Sequence, residues 1–350
     1  MTKYTNRFRK GEPQRLRYVL NHALNTGGHL SAQSNPRMGG GGLEDFVRID
    51  PDTGLPALVH FPMREDNPYQ IDVGKTKEVI ADVKPDLIIT GRSMVIEREP
   101  VMELRSFVDK ESLPSIIYDD EAHTLGLEQR PGPHAYGSST HKPYFVTHRG
   151  IIAADIPEGS ELWALWKLIE QKAFPGSMSN HHLGTLLGLC GATFEWREYG
   201  LDYRAQVIAN AKAFARALKE AGLVVEGDPA KDYTETHQVL LNVGERNGIE
   251  IAKRLEENNI IVNYQALPFD ASFSTSSGIR MGVQEMTRFG MKEKDLGHLA
   301  ELMADIILRN QNRKEEVTQY RRQFTGMQYC YSGERALRMR DQLLNVLGSR

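Results

Sequence analysis

The sequence predicts an α/β protein: a mainly parallel sheet with helices on both faces, followed by a smaller C-terminal α+β domain. Two observations support this fold class. Short apolar runs alternate with helical spacing between residues 85 and 154, a pattern typical of strands joined by crossover helices. After residue 226, shorter apolar runs again flank helical stretches, and the 350 residues are enough for two such units.

In the first half, the apolar run Asp86–Thr90 predicts a buried strand that ends at a glycine, and Ser115–Asp120 predicts the next strand. Because ligands of parallel sheets bind beyond the carboxyl ends of strands, we expect the functional site there. The predicted elements of this half are a strand at 86–90, a helix at 100–110, a strand at 115–120 and two short strands at 144–146 and 150–154.

The second half begins with helical patterns that Phe174-Pro175-Gly176 interrupts. We predict a large domain at 1–178, connecting helices at 179–225 and a small domain at 226–350. The predicted elements are a helix at 160–173, a helical stretch from 182 to 221 interrupted near 199–200, strands at 239–243 and 260–263 flanking a helix at 248–258, and helices at 296–310 and 334–347.

Composition excludes several classes of protein. Apolar residues make up 40% of the chain and charged residues 25%, which is typical of a globular core rather than a disordered chain. Lys+Arg 43 against Asp+Glu 46 gives a net charge of −3, so neither nucleic-acid nor membrane-surface binding is indicated. The cysteines, Cys190 and Cys330, lack metal-type spacing. We therefore expect no metal site, no membrane span and a reduced, cytoplasmic setting.

Two short motifs suggest a helicase, but their context argues against one. Asp120-Glu121-Ala122-His123 spells a helicase signature, and Gly74-Lys75-Thr76 resembles the end of a phosphate-binding P-loop. A P-loop needs a glycine five positions before Gly74, where this chain has Tyr69, and no apolar strand precedes the motif. The helicase interpretation is rejected.

An aspartate and a lysine point instead to pyridoxal phosphate chemistry. Asp120 ends an apolar strand, and Lys142 follows the small or polar residues Ser139-Thr140-His141, which we expect to form a loop. A buried carboxylate can hold the cofactor's pyridine nitrogen protonated, and a lysine amine can form the Schiff base. Taken singly, the aspartate could cap a turn and the lysine could be a surface charge; their order along the chain favours the cofactor.

Three further residues fit the same chemistry. Arg280 lies in the otherwise apolar segment 277–282, where its guanidinium needs an anion such as an α-carboxylate, or an internal salt bridge. His29 follows two glycines and could stack on an aromatic ring or simply belong to a turn. His123 could contact the cofactor's phenolic oxygen or cap a helix.

Together these elements resemble the serine hydroxymethyltransferase family. The resemblance is ordered and extends from about Leu24 to about Gly290. The segments that carry it are Leu24–Leu30 (like LAHGGHL), Asp120–His123 (DxAH), Ser139–Lys142 (like TTHK), Phe174-Pro175-Gly176 (FPG) and Ser277–Arg280 (SGIR).

The resemblance implies an aspartate-aminotransferase-like, fold-type-I transferase with pyridoxal 5'-phosphate as cofactor. It implies Cα–Cβ aldol or retro-aldol chemistry on glycine, serine or a related β-hydroxy amino acid. The roles that it implies are catalytic for Lys142, Asp120, His29 and His123, cofactor contact for these four and for Ser93, Ser139 and His141, and substrate binding for Arg280, Arg288 and Arg149.

The chain also departs from the family's pattern. Ahead of the GGH element the family carries a Ser-Gly-Ser type loop for the cofactor phosphate, and residues 1–23 show no counterpart. We therefore expect a partner polypeptide to supply that segment, giving a heteromeric enzyme organised around a dimer. Asn263-Tyr264-Gln265 differs from the family's folate-side sequence, which puts the use of tetrahydrofolate in doubt. Folate-independent transaldolase or aldolase activity, β-elimination and a non-catalytic regulatory role are the alternatives.

Overall fold

The computed structural model describes residues 58–127, 132–178 and 180–348, together with the backbone of residues 18–20. The expected ring-stacking residue His29, and the glycines before it, lie outside the described residues.

A mainly parallel sheet forms the first layer, as predicted. In the described part of the chain its strand order is β2-β1-β3-β4-β5-β6, with β1 to β5 parallel and β6 antiparallel at the edge. The strands are β1 (Tyr18–Leu20), β2 (Leu58–His60), β3 (Leu87–Thr90), β4 (Ile116–Asp120), β5 (Ala135–His141) and β6 (Phe145–Ala153).

Two details of the predicted strands were wrong. The stretch before Lys142, expected as a loop, is the end of strand β5, since Ala135–His141 pairs with strands on both sides. The two short strands expected at 144–146 and 150–154 form one continuous strand, β6. Pairing with β5 continues through Gly150, which lies opposite Ser139.

Two helices cover one apolar surface of this sheet. Helix α1 (Val73–Val83) begins after Asp72, whose carboxylate accepts a hydrogen bond from the Lys75 N–H. Helix α2 (Val101–Lys110) buries its apolar stripe beside α1. The shared core consists of Phe61, Ile71, Ile80, Ile88, Val101, Leu104, Val108 and Ile117.

Helices α3 (Trp163–Gln171) and α4 (Leu183–Glu220) lead from the first sheet to the second. An irregular segment, Lys172–Ser177, joins them. The interruption expected near residue 200 is absent, because Gly200 continues the helix and is buried against the Trp196 ring. The bounds of the predicted domains remain a prediction.

The second sheet is antiparallel, with strand order β7-β8-β10-β9. The second half of α4 packs against it within the largest apolar core. Of the described helices, none is long and apolar enough to cross a membrane. The elements are β7 (Val224–Val225), β8 (Gln238–Asn242), α5 (Gly248–Glu257), β9 (Asn263–Gln265), β10 (Gly278–Gly282), α6 (Gln284–Arg288), α7 (Leu296–Arg309), α8 (Lys314–Arg321) and α9 (Gly333–Gly348).

Candidate active site

The predicted cofactor residues lie at the carboxyl ends of three neighbouring parallel strands. Ser93 follows β3, Asp120 ends β4 and Lys142 comes directly after β5. The register pairs β3 with β4 and β4 with β5, so these strand ends are side by side. Residues separated along the chain by 22 positions or more thus meet at one edge of the sheet, where parallel sheets bind ligands.

Close backbone packing holds the end of β4 in place. Gly91 follows β3 with a φ of +92°, and a Cβ atom built on it would lie 2.1 Å from the Asp120 carbonyl oxygen. Only glycine combines this conformation with this approach. The close contact fixes the position of Asp120 relative to Ser93.

Burial is the main influence on the Asp120 carboxylate. It raises the pKa of Asp120, while the Ala122 N–H and the nearby Lys142 ammonium act in the opposite direction. The Ala122 N–H donates to Asp120 Oδ1 at 3.0 Å. A buried carboxylate with so few donors among the described residues suits a cationic N–H partner such as a protonated ring nitrogen.

The Lys142 amine is partly desolvated, as an imine-forming amine requires. Burial and the charge of Arg280 lower the pKa of Lys142, and Asp120 raises it, with burial the largest influence. The amine therefore lies within electrostatic reach of both Asp120 and Arg280. These mutual influences show that the three charged groups lie near one another, as the cofactor hypothesis requires.

Arg280 is a buried cation facing the same site from the second sheet. Its Nη1 donates to the Ser93 carbonyl oxygen at 2.8 Å, and burial lowers its pKa. No ion pair to Arg280 occurs within the part of the chain that the structure describes. A guanidinium held this way is well suited to bind a substrate carboxylate.

A buried polar network completes the site around His123. His123 Nδ1 lies 3.1 Å from Gln238 Nε2, which also donates to the Ser93 carbonyl oxygen at 2.9 Å. The His237 ring is stacked near the His123 ring, with centroids 6.1 Å apart. Burial and the neighbouring cations hold the pKa of His123 well below its usual value, so this imidazole is neutral at pH 7.

Sequence reasoning missed His237 and Gln238. Gln238 accepts a hydrogen bond from the Val95 N–H at 2.8 Å and so ties the second sheet to the segment after β3. His237 is fully buried, and its Nδ1 has no hydrogen-bond partner among the described residues. The sequence feature that could have indicated them is the placement of a histidine and a glutamine directly before the apolar run of β8. That strand pairs with β10, the strand that carries Arg280.

The remaining predicted cofactor residues, Ser139 and His141, lie on β5 just ahead of Lys142. Ser139 Oγ donates to the Ala122 carbonyl oxygen at 3.3 Å and links β5 to the loop after β4. His141 is exposed and stacks on His148 with ring centroids 4.0 Å apart. Their contacts with a cofactor remain predictions.

The structure gives two of the predicted substrate arginines other partners. Arg149 Nη1 donates to the carbonyl oxygen of His181 at 2.9 Å and to Thr185 Oγ1 at 2.8 Å, at the start of α4. Arg288 pairs with Glu195 at 3.3 Å and lies over the Phe145 ring. Neither is among the charges that act on Lys142, so their part in substrate binding also remains a prediction.

The site's donor set fits pyridoxal phosphate. Asp120 offers a buried carboxylate for the ring nitrogen, Lys142 a desolvated amine for the aldehyde carbon, and His123 a neutral imidazole for the ring's oxygen side. Arg280 stays available for the carboxylate of an amino acid.

The buried histidine His237 predicts a pH dependence of folding. Burial, Arg280 and Lys142 lower the pKa of His237 from 6.5 to about 3. The folded state therefore resists a proton that the unfolded state accepts, and stability falls as pH drops below 6.5. One such group contributes a slope of at most about 1.4 kcal/mol per pH unit.

We expect His237→Gln to remove this contribution. Urea unfolding between pH 6.5 and roughly pH 5 should show a shallower decline in the free energy of unfolding for the variant than for the wild type. The exposed His298→Gln serves as the control and should leave the slope unchanged. Equal slopes for His237→Gln and the wild type would contradict the assignment.

Comparisons with known proteins agree with this site. The family model for serine hydroxymethyltransferase matches residues 16–303. The serine hydroxymethyltransferases of Archaeoglobus fulgidus and Staphylothermus marinus are each 35% identical, over 92% of this chain and 72% of their own lengths. A crystal structure of L-threonine transaldolase from Pseudomonas fluorescens, in its internal aldimine state, is 26% identical with a TM-score of 0.72, over 90% of this chain and 69% of that one.

These findings confirm the predicted fold class, the cofactor and the type of chemistry. The family match runs from before β1 into α7 and includes every described residue that we assign to the site. The chain belongs to the serine hydroxymethyltransferase family and is a pyridoxal-phosphate-dependent, fold-type-I enzyme of the hydroxymethyltransferase and aldolase type.

Proposed function

We propose that this chain forms or breaks the Cα–Cβ bond of glycine, serine or a related β-hydroxy amino acid. The observation that carries the proposal is the meeting of Asp120, Lys142 and Arg280. Asp120 ends β4, Lys142 follows β5 and Arg280 lies on β10, and the charges of Asp120 and Arg280 both act on the Lys142 amine. One buried site thus offers a carboxylate, an amine and a guanidinium without an ion-pair partner among the described residues.

Each residue has a part that follows from its position. Arg280 binds the substrate carboxylate and so orients the bonds at Cα. The Ser93 carbonyl oxygen accepts hydrogen bonds from the Arg280 guanidinium and from the Gln238 amide, and the same amide nitrogen contacts the His123 ring. The bound cofactor supplies the electron sink that lets a bond to Cα break. With the cofactor bound, Asp120 would keep the ring nitrogen protonated, and the Lys142 amine would hold the cofactor's aldehyde carbon.

We expect Arg280→Lys to reduce kcat/KM by on the order of a hundredfold, chiefly through KM, because an ammonium cannot replace a forked guanidinium at a carboxylate. Steady-state kinetics with serine and with threonine would measure this. The absorbance of the bound cofactor should be unchanged, since Arg280 contacts the substrate. The exposed Arg246→Lys is the matched control. An unchanged KM in the Arg280 variant would exclude the proposed role.

A folate-independent reaction is the second candidate. It is favoured by the similarity to a transaldolase and by Asn263-Tyr264-Gln265, which form strand β9 beside the Arg280 strand. Turnover of serine measured with and without tetrahydrofolate separates the two. Turnover that needs tetrahydrofolate supports hydroxymethyl transfer, whereas equal turnover supports transaldol or aldol chemistry.

The buried charges of the site argue against a non-catalytic role. The Asp120 carboxylate and the Arg280 guanidinium are each costly to bury without a ligand. Retention of the two groups supports the catalytic role. The Lys142 variant described in the Discussion tests it.

We also propose that activity requires a partner chain, within an oligomer built around a dimer. The described residues provide partners for the cofactor ring and for the substrate carboxylate. The phosphate-binding Ser-Gly-Ser loop typical of the family has no counterpart in the sequence. Weak cofactor binding by the isolated chain, strengthened when the partner is added, would support this; tight binding and turnover by the chain alone would exclude it.

A further inference from the structure

The Gln238 side chain, at the start of β8, is buried where the second sheet meets the segment after β3. Its Oε1 accepts a hydrogen bond from the Val95 N–H at 2.8 Å, and its Nε2 donates to the Ser93 carbonyl oxygen at 2.9 Å. The same Nε2 lies 3.1 Å from His123 Nδ1. One side chain of the second sheet thus contacts three residues that follow β3 and β4.

Two backbone contacts fix the orientation of the Gln238 amide. A backbone N–H can only donate, so the atom that faces the Val95 N–H must be the amide oxygen. A backbone carbonyl oxygen can only accept, so the atom that faces the Ser93 carbonyl must be the amide nitrogen. Exchanging the two amide atoms would leave both backbone groups without a hydrogen bond in a buried position, so both contacts require the same orientation.

The amide nitrogen in turn determines which ring nitrogen of His123 carries the proton. An amide nitrogen has two hydrogens to donate and does not accept. One hydrogen serves the Ser93 carbonyl oxygen, and the other is available for His123 Nδ1. His123 Nδ1 must therefore accept, and in a neutral imidazole the proton then lies on Nε2. The ring is neutral at pH 7, because burial and the neighbouring cations hold the pKa of His123 well below its usual value.

The proton on His123 Nε2 is left for a ligand. Among the described residues, none forms a hydrogen bond with this nitrogen. The charges of Lys142 and Arg280 both act on the ring, which places it beside the amine and the guanidinium of the site. A ring N–H without a partner at this position suits an acceptor oxygen of a bound molecule.

We propose that Gln238 is a positioning residue that holds His123 as its Nε2–H tautomer, so that this ring donates a hydrogen bond to an oxygen of the bound ligand. The identity of that ligand rests on the proposed function, whereas the tautomer follows from contacts within the chain. Because the ring's lone pair lies on Nδ1 and is engaged by Gln238, His123 does not accept a proton from the substrate. The group that removes a proton during the reaction is a different one.

A second buried hydrogen bond offers a matched control. Tyr69 Oη donates to Glu226 Oε2 at 3.0 Å, so Tyr69 also connects the first part of the chain to the second sheet, just after β7. The exposed fraction of Tyr69 is 3%, against 2% for Gln238. Tyr69→Phe removes this hydrogen bond and keeps the ring. It therefore separates the loss of a connection between the two sheets from the loss of the donor to His123.

The test uses the full-length chain with 15N in its histidine rings. Two-bond proton–nitrogen correlation spectra at pH 7 distinguish a protonated ring nitrogen from an unprotonated one, and His123→Asn identifies the His123 signals. Without cofactor, the wild type should show a protonated Nε2 and an unprotonated Nδ1. In Gln238→Met, which lacks the donor, the two nitrogen shifts should move toward each other as both tautomers become populated. Tyr69→Phe should keep the wild-type pattern.

Addition of pyridoxal phosphate tests what the Nε2–H faces. Cofactor binding is followed separately by absorbance. At concentrations that saturate the absorbance change, the His123 Nε2–H proton signal of the wild type should move downfield, because the proton gains an acceptor. Failure of the chain to bind the cofactor would count against the proposed function and not against the tautomer, which is measured without cofactor.

The outcomes decide the proposal. A protonated His123 Nδ1 in the wild type overturns it, as does an unchanged pattern in a folded Gln238→Met protein. An equal change in Tyr69→Phe also overturns it, because the effect would then come from looser packing between the two sheets. An unmoved Nε2–H signal at cofactor saturation overturns the contact with the ligand. Circular dichroism confirms folding, and the wild-type spectrum alone decides the tautomer should Gln238→Met fail to fold.

Discussion

Lys142→Ala is expected to lower kcat by on the order of a thousandfold or more and to abolish covalent attachment of the cofactor. The alanine side chain has no amine to bind the cofactor's aldehyde carbon. It also leaves no amine to hold or move a proton at the point where the substrate amine arrives. Residual binding through Asp120 would not restore turnover.

Borohydride reduction followed by peptide mapping provides the direct measurement. In the wild type, reduction should fix the cofactor on the peptide that contains Lys142. In the variant no peptide should be labelled. Lys253→Ala, at an exposed position on α5, is the matched control and should behave as the wild type. Labelling of another lysine with normal turnover would disprove the assignment.

Asp120→Asn is expected to lower kcat roughly a hundredfold or more, because a neutral amide does not keep a ring nitrogen protonated. The same substitution should stabilise the cofactor-free protein at neutral pH. Burial raises the pKa of Asp120 in the folded state, so the folded protein holds this proton more tightly than the unfolded chain does. As pH rises past the usual range of an aspartate, the charged carboxylate therefore costs stability.

Thermal melting of Asp120→Asn without cofactor should therefore show a higher melting temperature than the wild type, while steady-state kinetics should show a lower kcat. Asp119→Asn is the matched control. Asp119 precedes Asp120 on β4, so its side chain points to the opposite face, where it accepts a hydrogen bond from Thr90 at 2.6 Å. We expect that variant to lose stability and to keep most of its turnover. A destabilised Asp120→Asn protein with normal kcat would contradict the role of this carboxylate.

The central strands could be predicted correctly from the sequence because buried parallel strands are short, apolar and bounded by glycine or proline. Asp86–Thr90 and Ser115–Asp120 meet those conditions and correspond to β3 and β4. The stretch before Lys142 does not, because small polar residues form the end of β5. This stretch forms a strand because it pairs with β4 and β6. The strand propensity of its residues does not reveal that pairing.

The arginines show the same limit. Arg149, Arg280 and Arg288 were all predicted from the family pattern, although Arg149 lies one residue further along than the pattern places it. In the structure, burial lowers the pKa of Arg280, whose charge acts on Lys142, while Arg288 pairs with Glu195 and Arg149 binds the start of α4. Which cation is left for a substrate is decided by the carboxylates and carbonyls that surround each one.

By itself the sequence determined the alternation of strands and helices, the order of the chemical groups along the chain and, through that order, the family. Only the tertiary structure brought Ser93, Asp120 and Lys142 together with Gln238 and Arg280 from the second sheet. It also placed β6 at an edge of the sheet in the described part of the chain. The physical reason is that strand and helix patterns arise from local spacing, whereas burial and charge interactions depend on distances between residues far apart in sequence.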